Sequence, residues 1–182
     1  YRGSVNSTGI RACYDEGKRC AESLFYDFHR IYNLDVKVAR LFNTYGPMMR
    51  PDDGRVISNF ICQSILNKPI TIYGDGLQTR SFCHVDDLIL GLKNLMNCNE
   101  EISHPINLGN PDEFTLLELV DLIEKIIHTK LELKFLPLPL DDPKMRKPDI
   151  TMAKKILGWE PKIFLEKGLK DTYNYFHSEI QN

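Results

Sequence analysis

A chain of 182 residues that is 42% hydrophobic and 26% charged can bury a core, which excludes an intrinsically disordered or collagen-like polypeptide. Its net charge of -2, with acids and bases interspersed, gives no general case for nucleic acid or an anionic membrane, so local clusters must carry any anion binding. No apolar run has the length of a membrane span, and the five cysteines form no C-x-x-C pair, which points to scattered reduced thiols in a soluble, cytoplasmic chain rather than to disulfides or zinc.

In chain order, Ala21, Leu24, Phe25, Phe28, Ile31 and Tyr32 fall at helical spacing between charges, predicting an amphipathic helix that follows Tyr14 and ends near Asn33. Residues 36–42 read as a strand and 43–47 as the turn out of it. A helix is expected over 56–66, a strand over 70–73, the turn Gly74-Asp75-Gly76, an extended stretch over 80–85, and a helix capped by Asp86 that runs to about Asn97. Residues 105–108 form the next strand. Thr115 and Glu118 have capping-box spacing ahead of a helix through Ile127, and 131–136 resume a strand. Residues 137–148, with four prolines and a run of charges, read as a ligand-facing loop. Two short helices close the chain, one stopped by Gly158 and one over 166–178. Alternation of helix and strand without repeats makes the class α/β.

Tyr14 and Lys18, four residues apart at the start of the first helix, share a face. A neighbouring ammonium favours the phenolate, lowering the tyrosine towards the range of a general base suited to taking a proton from a sugar hydroxyl; a surface tyrosine beside a solvated lysine is the plainer alternative. Arg80, just past a glycine turn, and Arg55, just before a helix, can reach a diphosphate. Asn43 and Asn59 can donate amides to phosphate oxygens, and Tyr73 can lie against a base or ribose; each could instead serve a turn or a half-buried strand. His84, on a strand next to a helix cap, reads as a packing residue. The stripe of Phe25, Phe28 and Tyr32 reads as core or dimer contact.

The segment A-C-Y-D-E-G-K-R at 12–19, followed by R-L-F-N-T-Y-G-P at 40–47, resembles the extended short-chain dehydrogenase/reductase family. The stretches 53–60, 73–82, 85–88 and 107–111 follow in that family's order. Within it, A-C-Y-D-E-G-K-R and D-D-P-K-M-R-K-P-D-I at 141–150 are similar to UDP-glucuronate decarboxylases (UDP-xylose synthases). The resemblance implies the C-terminal half of an NAD-binding Rossmann fold, residues 1–45 and 84–103, with a UDP-sugar-binding domain of residues 46–83 and 104–182. It implies NAD as a bound cofactor held by Tyr14, Lys18, Thr44 and Arg55, and a UDP-sugar held by Asn43, Arg55, Asn59, Tyr73, Arg80 and Arg146. Tyr14, Lys18 and Arg146 would be catalytic, with Arg146 facing the substrate carboxylate; in isolation that arginine would pass for a surface residue of a charged loop. A homodimer through the helix following Tyr14 is implied as well. Nucleic acid is not an expected partner.

No G-x-x-G-x-x-G loop after a strand occurs in these 182 residues. The sequence is therefore expected to be the C-terminal part of a longer enzyme, unable alone to hold NAD tightly or to turn over; an anchor upstream would move it to a Golgi lumen. The rival expectations are a UDP-sugar 4-epimerase or a dTDP-glucose 4,6-dehydratase of the same family, and a non-catalytic UDP-sugar-binding fragment.

Overall fold

The computed structural model describes residues 6–10, 12–138 and 147–181. Helix α1 spans Ala12–Tyr32, strand β1 Ala39–Leu41 and β2 Thr44–Tyr45; α2 follows at Val56–Ile65, then β3 at Ile70–Tyr73, β4 at Thr79–Ser81 and β5 at Cys83–His84. Next come α3 (Val85–Met96), β6 (Ile106–Leu108), β7 (Glu113–Thr115), α4 (Leu116–Ile127), β8 (Leu133–Leu136), α5 (Thr151–Leu157) and α6 (Leu165–Gln181). The strands pair as β1 with β6, β2 with β5 and β3 with β8, all parallel, and β4 with β7 antiparallel. The α/β class expected from the sequence is the class observed.

Local chemistry explains most boundaries. Thr115 accepts a hydrogen bond from the Glu118 amide at 3.1 Å while Glu118 accepts one from the Thr115 amide at 2.7 Å, so α4 begins with the expected capping box. Its Leu116, Leu119, Val120 and Ile123 are buried at helical spacing. Gly158, at φ 57°, ends α5 in the left-handed conformation. The cap of α3 differs from expectation. It is His84 Nδ1, not Asp86, that accepts from a backbone amide, that of Asp86, and the helix starts two residues earlier than a cap at Asp86 would allow. The segment 43–47 is more than a turn, since Thr44 and Tyr45 pair with Cys83 and His84.

Two apolar clusters result. One packs Ile57, Phe60 and Ile61 of α2 against Ile70 and Ile72, Leu119 and Ile123 of α4, and Leu165, Leu169 and Phe176 of α6. The other packs Leu88 and Leu95 of α3 against Ile106 and Leu108 of β6, with Ile150, Ala153 and Trp159. Asp87 ties them. It is 5% exposed, its Oδ2 accepts from the amides of Lys162 at 2.9 Å and Ile163 at 2.8 Å, and its carbonyl accepts from the Trp159 indole at 2.9 Å. The chain between the second cluster and α6 thus folds back onto the start of α3.

Replacing Asp87 with Ala leaves two amides without their acceptor and should lower stability by about 3 kcal/mol, read from denaturant titration. Gly168 lies in α6, where Gly→Ala would ordinarily stabilise by about 1 kcal/mol. Here a Cβ would stand 2.2 Å from the Tyr45 hydroxyl and 2.8 Å from the His84 ring, so Gly168→Ala should instead destabilise by about 1–3 kcal/mol.

Candidate functional site

Beside the first cluster opens a cleft of about 290 Å³ whose lining includes Asn43, Thr44, Arg55, Asn59, Tyr73 and Arg80. These are the six residues singled out in sequence within 43–80, delivered by four different segments. Asn43 and Thr44 arrive with β2, which the Cys83 amide ties in place by donating to the Asn43 carbonyl at 2.9 Å. Arg55 arrives as the residue before α2 and Asn59 on that helix's first turn, Tyr73 at the end of β3, and Arg80 on β4. The glycines at 74 and 76, both at φ 78°, make the turn that leads from β3 towards β4.

Several of these side chains reach the cleft already engaged. Arg55 Nε donates to Asp53 Oδ2 at 2.6 Å and its Nη1 to the Thr44 carbonyl at 3.4 Å. Asp53 Oδ1 also accepts from the Arg55 amide and the Ser58 hydroxyl, both at 2.9 Å. Burial works to raise the Asp53 carboxyl, but the hydrogen bonds from Arg55 and Ser58 outweigh it and hold the group below the ordinary carboxylate range. Asn59 lines the cleft while its amide donates to the Gly54 carbonyl at 3.1 Å and so helps shape the turn before α2. Thr44 donates its hydroxyl to the Phe42 carbonyl, and Arg80 Nη1 donates to the Thr79 carbonyl at 2.7 Å. The Tyr73 ring stays partly exposed.

Gln78 was not singled out in sequence. It lines the cleft, donates its amide to the Tyr73 carbonyl, and holds a buried Oε1 without a hydrogen-bond partner. Its signal was its place between the glycine turn and Arg80. A cleft lined by the guanidiniums of Arg55 and Arg80, by side-chain amides and by the Tyr73 ring can bind an anion joined to a planar, partly apolar group.

Tyr14 and Lys18 do not join this cleft's lining. They stand on the first turns of α1, where the ammonium lies 5.5 Å from the Tyr14 ring centroid, over the face of the ring rather than in an ion pair. Tyr14 is 62% exposed. Arg146 lies outside the described residues. Helix α1 itself buries no residue. The side it partly covers carries Asp15, Glu22, Tyr26 and His29, whereas Leu24, Phe25, Phe28, Ile31 and Tyr32 are exposed. Its aromatic stripe is therefore not core among the described residues. Arg40 of β1 grips Glu22 through two hydrogen bonds, Nε to Oε1 at 2.7 Å and Nη2 to Oε2 at 2.6 Å, and the one from Arg40 holds the Glu22 carboxyl below its usual range against the opposing effect of burial. All five cysteines are free thiols, and burial pushes Cys83 up to about 12. No helix among the described residues is long and apolar enough to cross a membrane.

Fold and site together define an α/β protein with parallel strand pairs, a cleft lined by arginines and side-chain amides, and a helix that carries a Tyr–Lys pair. Residues 4–109 match the NAD dependent epimerase/dehydratase family, and this chain belongs to it. It is 55% identical over 180 residues to UDP-glucuronic acid decarboxylase 4 of Arabidopsis thaliana, covering 99% of this chain and 40% of that protein. It is 50% identical over 182 residues to UDP-glucuronic acid decarboxylase 1 of Danio rerio, covering 100% and 43%. The chain thus spans less than half the length of these relatives. Among solved structures, UDP-glucuronic acid 4-epimerase from Bacillus cereus, in complex with UDP-glucuronic acid and NAD, superposes with a TM-score of 0.85 at 31% identity, over 92% of this chain and 52% of that one. UDP-glucose 4-epimerase from Thermotoga maritima with UDP-glucose gives 0.86 at 31% identity, over 92% and 54%.

A carboxyl held low in the folded state contributes stability above its unfolded pKa, and that contribution is lost as pH falls through the folded value. Asp53→Asn should therefore cost about 1 kcal/mol at neutral pH and flatten the loss of stability below about pH 4, checked by denaturant titrations at the two ends of that range.

Proposed function

We propose that this chain is the substrate-binding and proton-transferring part of an NAD-dependent UDP-glucuronate decarboxylase, which converts UDP-glucuronate to UDP-xylose. The observation that carries the reading is the convergence of Asn43, Thr44, Arg55, Asn59, Tyr73 and Arg80 on one cleft, in a chain about half identical to decarboxylases. In this proposal Arg55 and Arg80 hold the diphosphate, Tyr73 lies against the uridine, and Gln78 Oε1 accepts from a ligand N–H or O–H. Residues 1–45 with 84–103 would form the cofactor side and the remainder the sugar-nucleotide side, with β6 and α5 joining the core of the former.

Tyr14 and Lys18 fit the nicotinamide-ribose end of NAD, since the phenol is exposed and the ammonium has no ion-pair partner among the described residues. When bound, that group supplies reversible oxidation at C4 of the glucuronosyl ring. Tyr14 accepts the C4 hydroxyl proton, and the Lys18 charge stabilises the resulting phenolate. Once C4 is a ketone, the carboxylate on C5 lies β to it and carbon dioxide can leave with its electron pair delocalised towards the C4 oxygen. The enolate then takes a proton from water at C5, in place of the lost carboxylate, and Tyr14, then protonated, stands ready to return its proton to the C4 oxygen as that carbon is reduced again. Arg146 would orient the carboxylate. The exposed stripe of Leu24, Phe28 and Ile31 on α1 supports a homodimer formed through that helix, because such a face costs free energy in water.

UDP titrated calorimetrically into the 182-residue chain should bind, and Arg55→Ala should weaken it about 10- to 100-fold through loss of a charge-assisted contact. No binding, or no effect of the substitution, would remove the cleft from the proposal. Joined behind the preceding portion of the Arabidopsis relative, the chain should release carbon dioxide and a UDP-pentose from UDP-glucuronate, and Tyr14→Phe should abolish both. Formation of the C4 epimer without carbon dioxide would instead assign it a 4-epimerase activity.

A further inference from the structure

The residue that tethers the helix carrying Tyr14 and Lys18 is a carboxylate, not an apolar side chain. Helix α1 buries no residue, and the side it partly covers is polar, with a Tyr26 hydroxyl that is buried and without a hydrogen-bond partner. Among the described residues, apolar packing therefore does little to fix the helix's rotation against β1. A bidentate guanidinium–carboxylate pair does so well, because two parallel hydrogen bonds specify direction as well as distance. Glu22 and Arg40 form such a pair, 18 residues apart in sequence, and the Glu22 side chain is only 26% exposed.

Glu22 is also one helical turn beyond Lys18, as Lys18 is one turn beyond Tyr14. Residues four apart on a helix lie about 5–6 Å apart at their Cβ atoms, within reach for a lysine and a glutamate to pair. Lys18 leans the other way, over Tyr14, while both Glu22 oxygens accept from Arg40.

We propose that the Glu22–Arg40 pair is a positioning device for the Tyr14–Lys18 pair: Arg40 docks α1 on β1 and, by occupying both Glu22 oxygens, leaves the Lys18 ammonium to Tyr14. The inference rests on the reading of Tyr14 as proton acceptor, with Glu22 and Arg40 acting through Lys18 and touching no reacting atom. Removing Arg40 exposes an anion that draws Lys18 away and opposes the phenolate. Removing Glu22 leaves Lys18 in place and a cation on β1. The two losses push the Tyr14 phenol in opposite directions, which a purely structural pair would not do.

The test uses the 182-residue chain with tyrosine labelled at Cζ, the Tyr14 resonance being assigned by its absence in Tyr14→Phe. Asp15, Glu16, Lys18 and Arg19, the other charges around Tyr14 on its helix, are unchanged in each variant. Arg40→Met should raise the phenol's titration midpoint by a few tenths of a pH unit at low salt, Glu22→Gln should lower it by a similar amount, and the double variant should return close to the parent. At neutral pH, without reliance on alkaline stability, the ring-current shift of the Lys18 methylene next to the ammonium should persist in Glu22→Gln and disappear in Arg40→Met. Shifts of the same sign in both single variants, or an unmoved midpoint with the ring-current shift retained in Arg40→Met, would overturn the inference. Because neither readout is turnover, an active Tyr14→Phe enzyme would count against the proposed function and not against this pairing.

Discussion

The buried carboxylate of Asp87 is the constraint on which the arrangement of the molecule depends. Two backbone amides at 162 and 163 terminate on it, and the indole of Trp159 terminates on its carbonyl. A buried anion must collect hydrogen bonds to offset its desolvation, and backbone amides of a returning segment are an economical source. Their capture draws Trp159 onto Gly91 of α3, where its ring passes too close for any Cβ, and starts α6 at the distance from which Leu165 and Leu169 enter the other cluster. One side chain thereby couples the two cores and sets where α6 meets β2 and β5.

That meeting governs the cleft. Tyr45 and His84, neighbours on β2 and β5, pack edge to face with centroids 5.4 Å apart, and Gly168 of α6 lies against both. Burial raises the Tyr45 phenol, keeping it neutral, and His84 spends Nδ1 on the amide of Asp86. Tyr45 in turn lines the cleft together with Asn43 and Thr44. The cations of the site are managed in the same way: Arg55 is aimed by Asp53, so that its orientation is set before any ligand arrives, a form of preorganisation that reduces the entropy lost on binding.

Helix α1 obeys a different rule. Its apolar stripe points away from the described core and its polar stripe towards β1, the reverse of an ordinary surface helix. Among the described residues it therefore gains little from apolar packing. Its orientation is carried by a directional charge pair, and its apolar face is available to whatever covers it in the assembled protein.

Much of this was legible in the sequence because it is local. The capping box at Thr115 and Glu118, the left-handed stop at Gly158, the 3.6-residue period of α4 and the glycine turn at 74–76 depend on neighbours a few residues away, and side-chain types alone specify them. The six cleft residues were legible by chemical type and by resemblance. Their convergence was not, because it follows from the pairings of β2 with β5 and β4 with β7, which join residues 32 to 39 positions apart. The burial of Gln78 Oε1, the commitment of the Asn59 amide to Gly54, the capping of α3 by His84 and the grip of Arg40 on Glu22 depend likewise on where the folded backbone places each group. Sequence determined which residues could bind, cap or transfer a proton; only the tertiary structure decided which of them were already spent on one another, since hydrogen-bond partners are assigned by distance in space rather than along the chain.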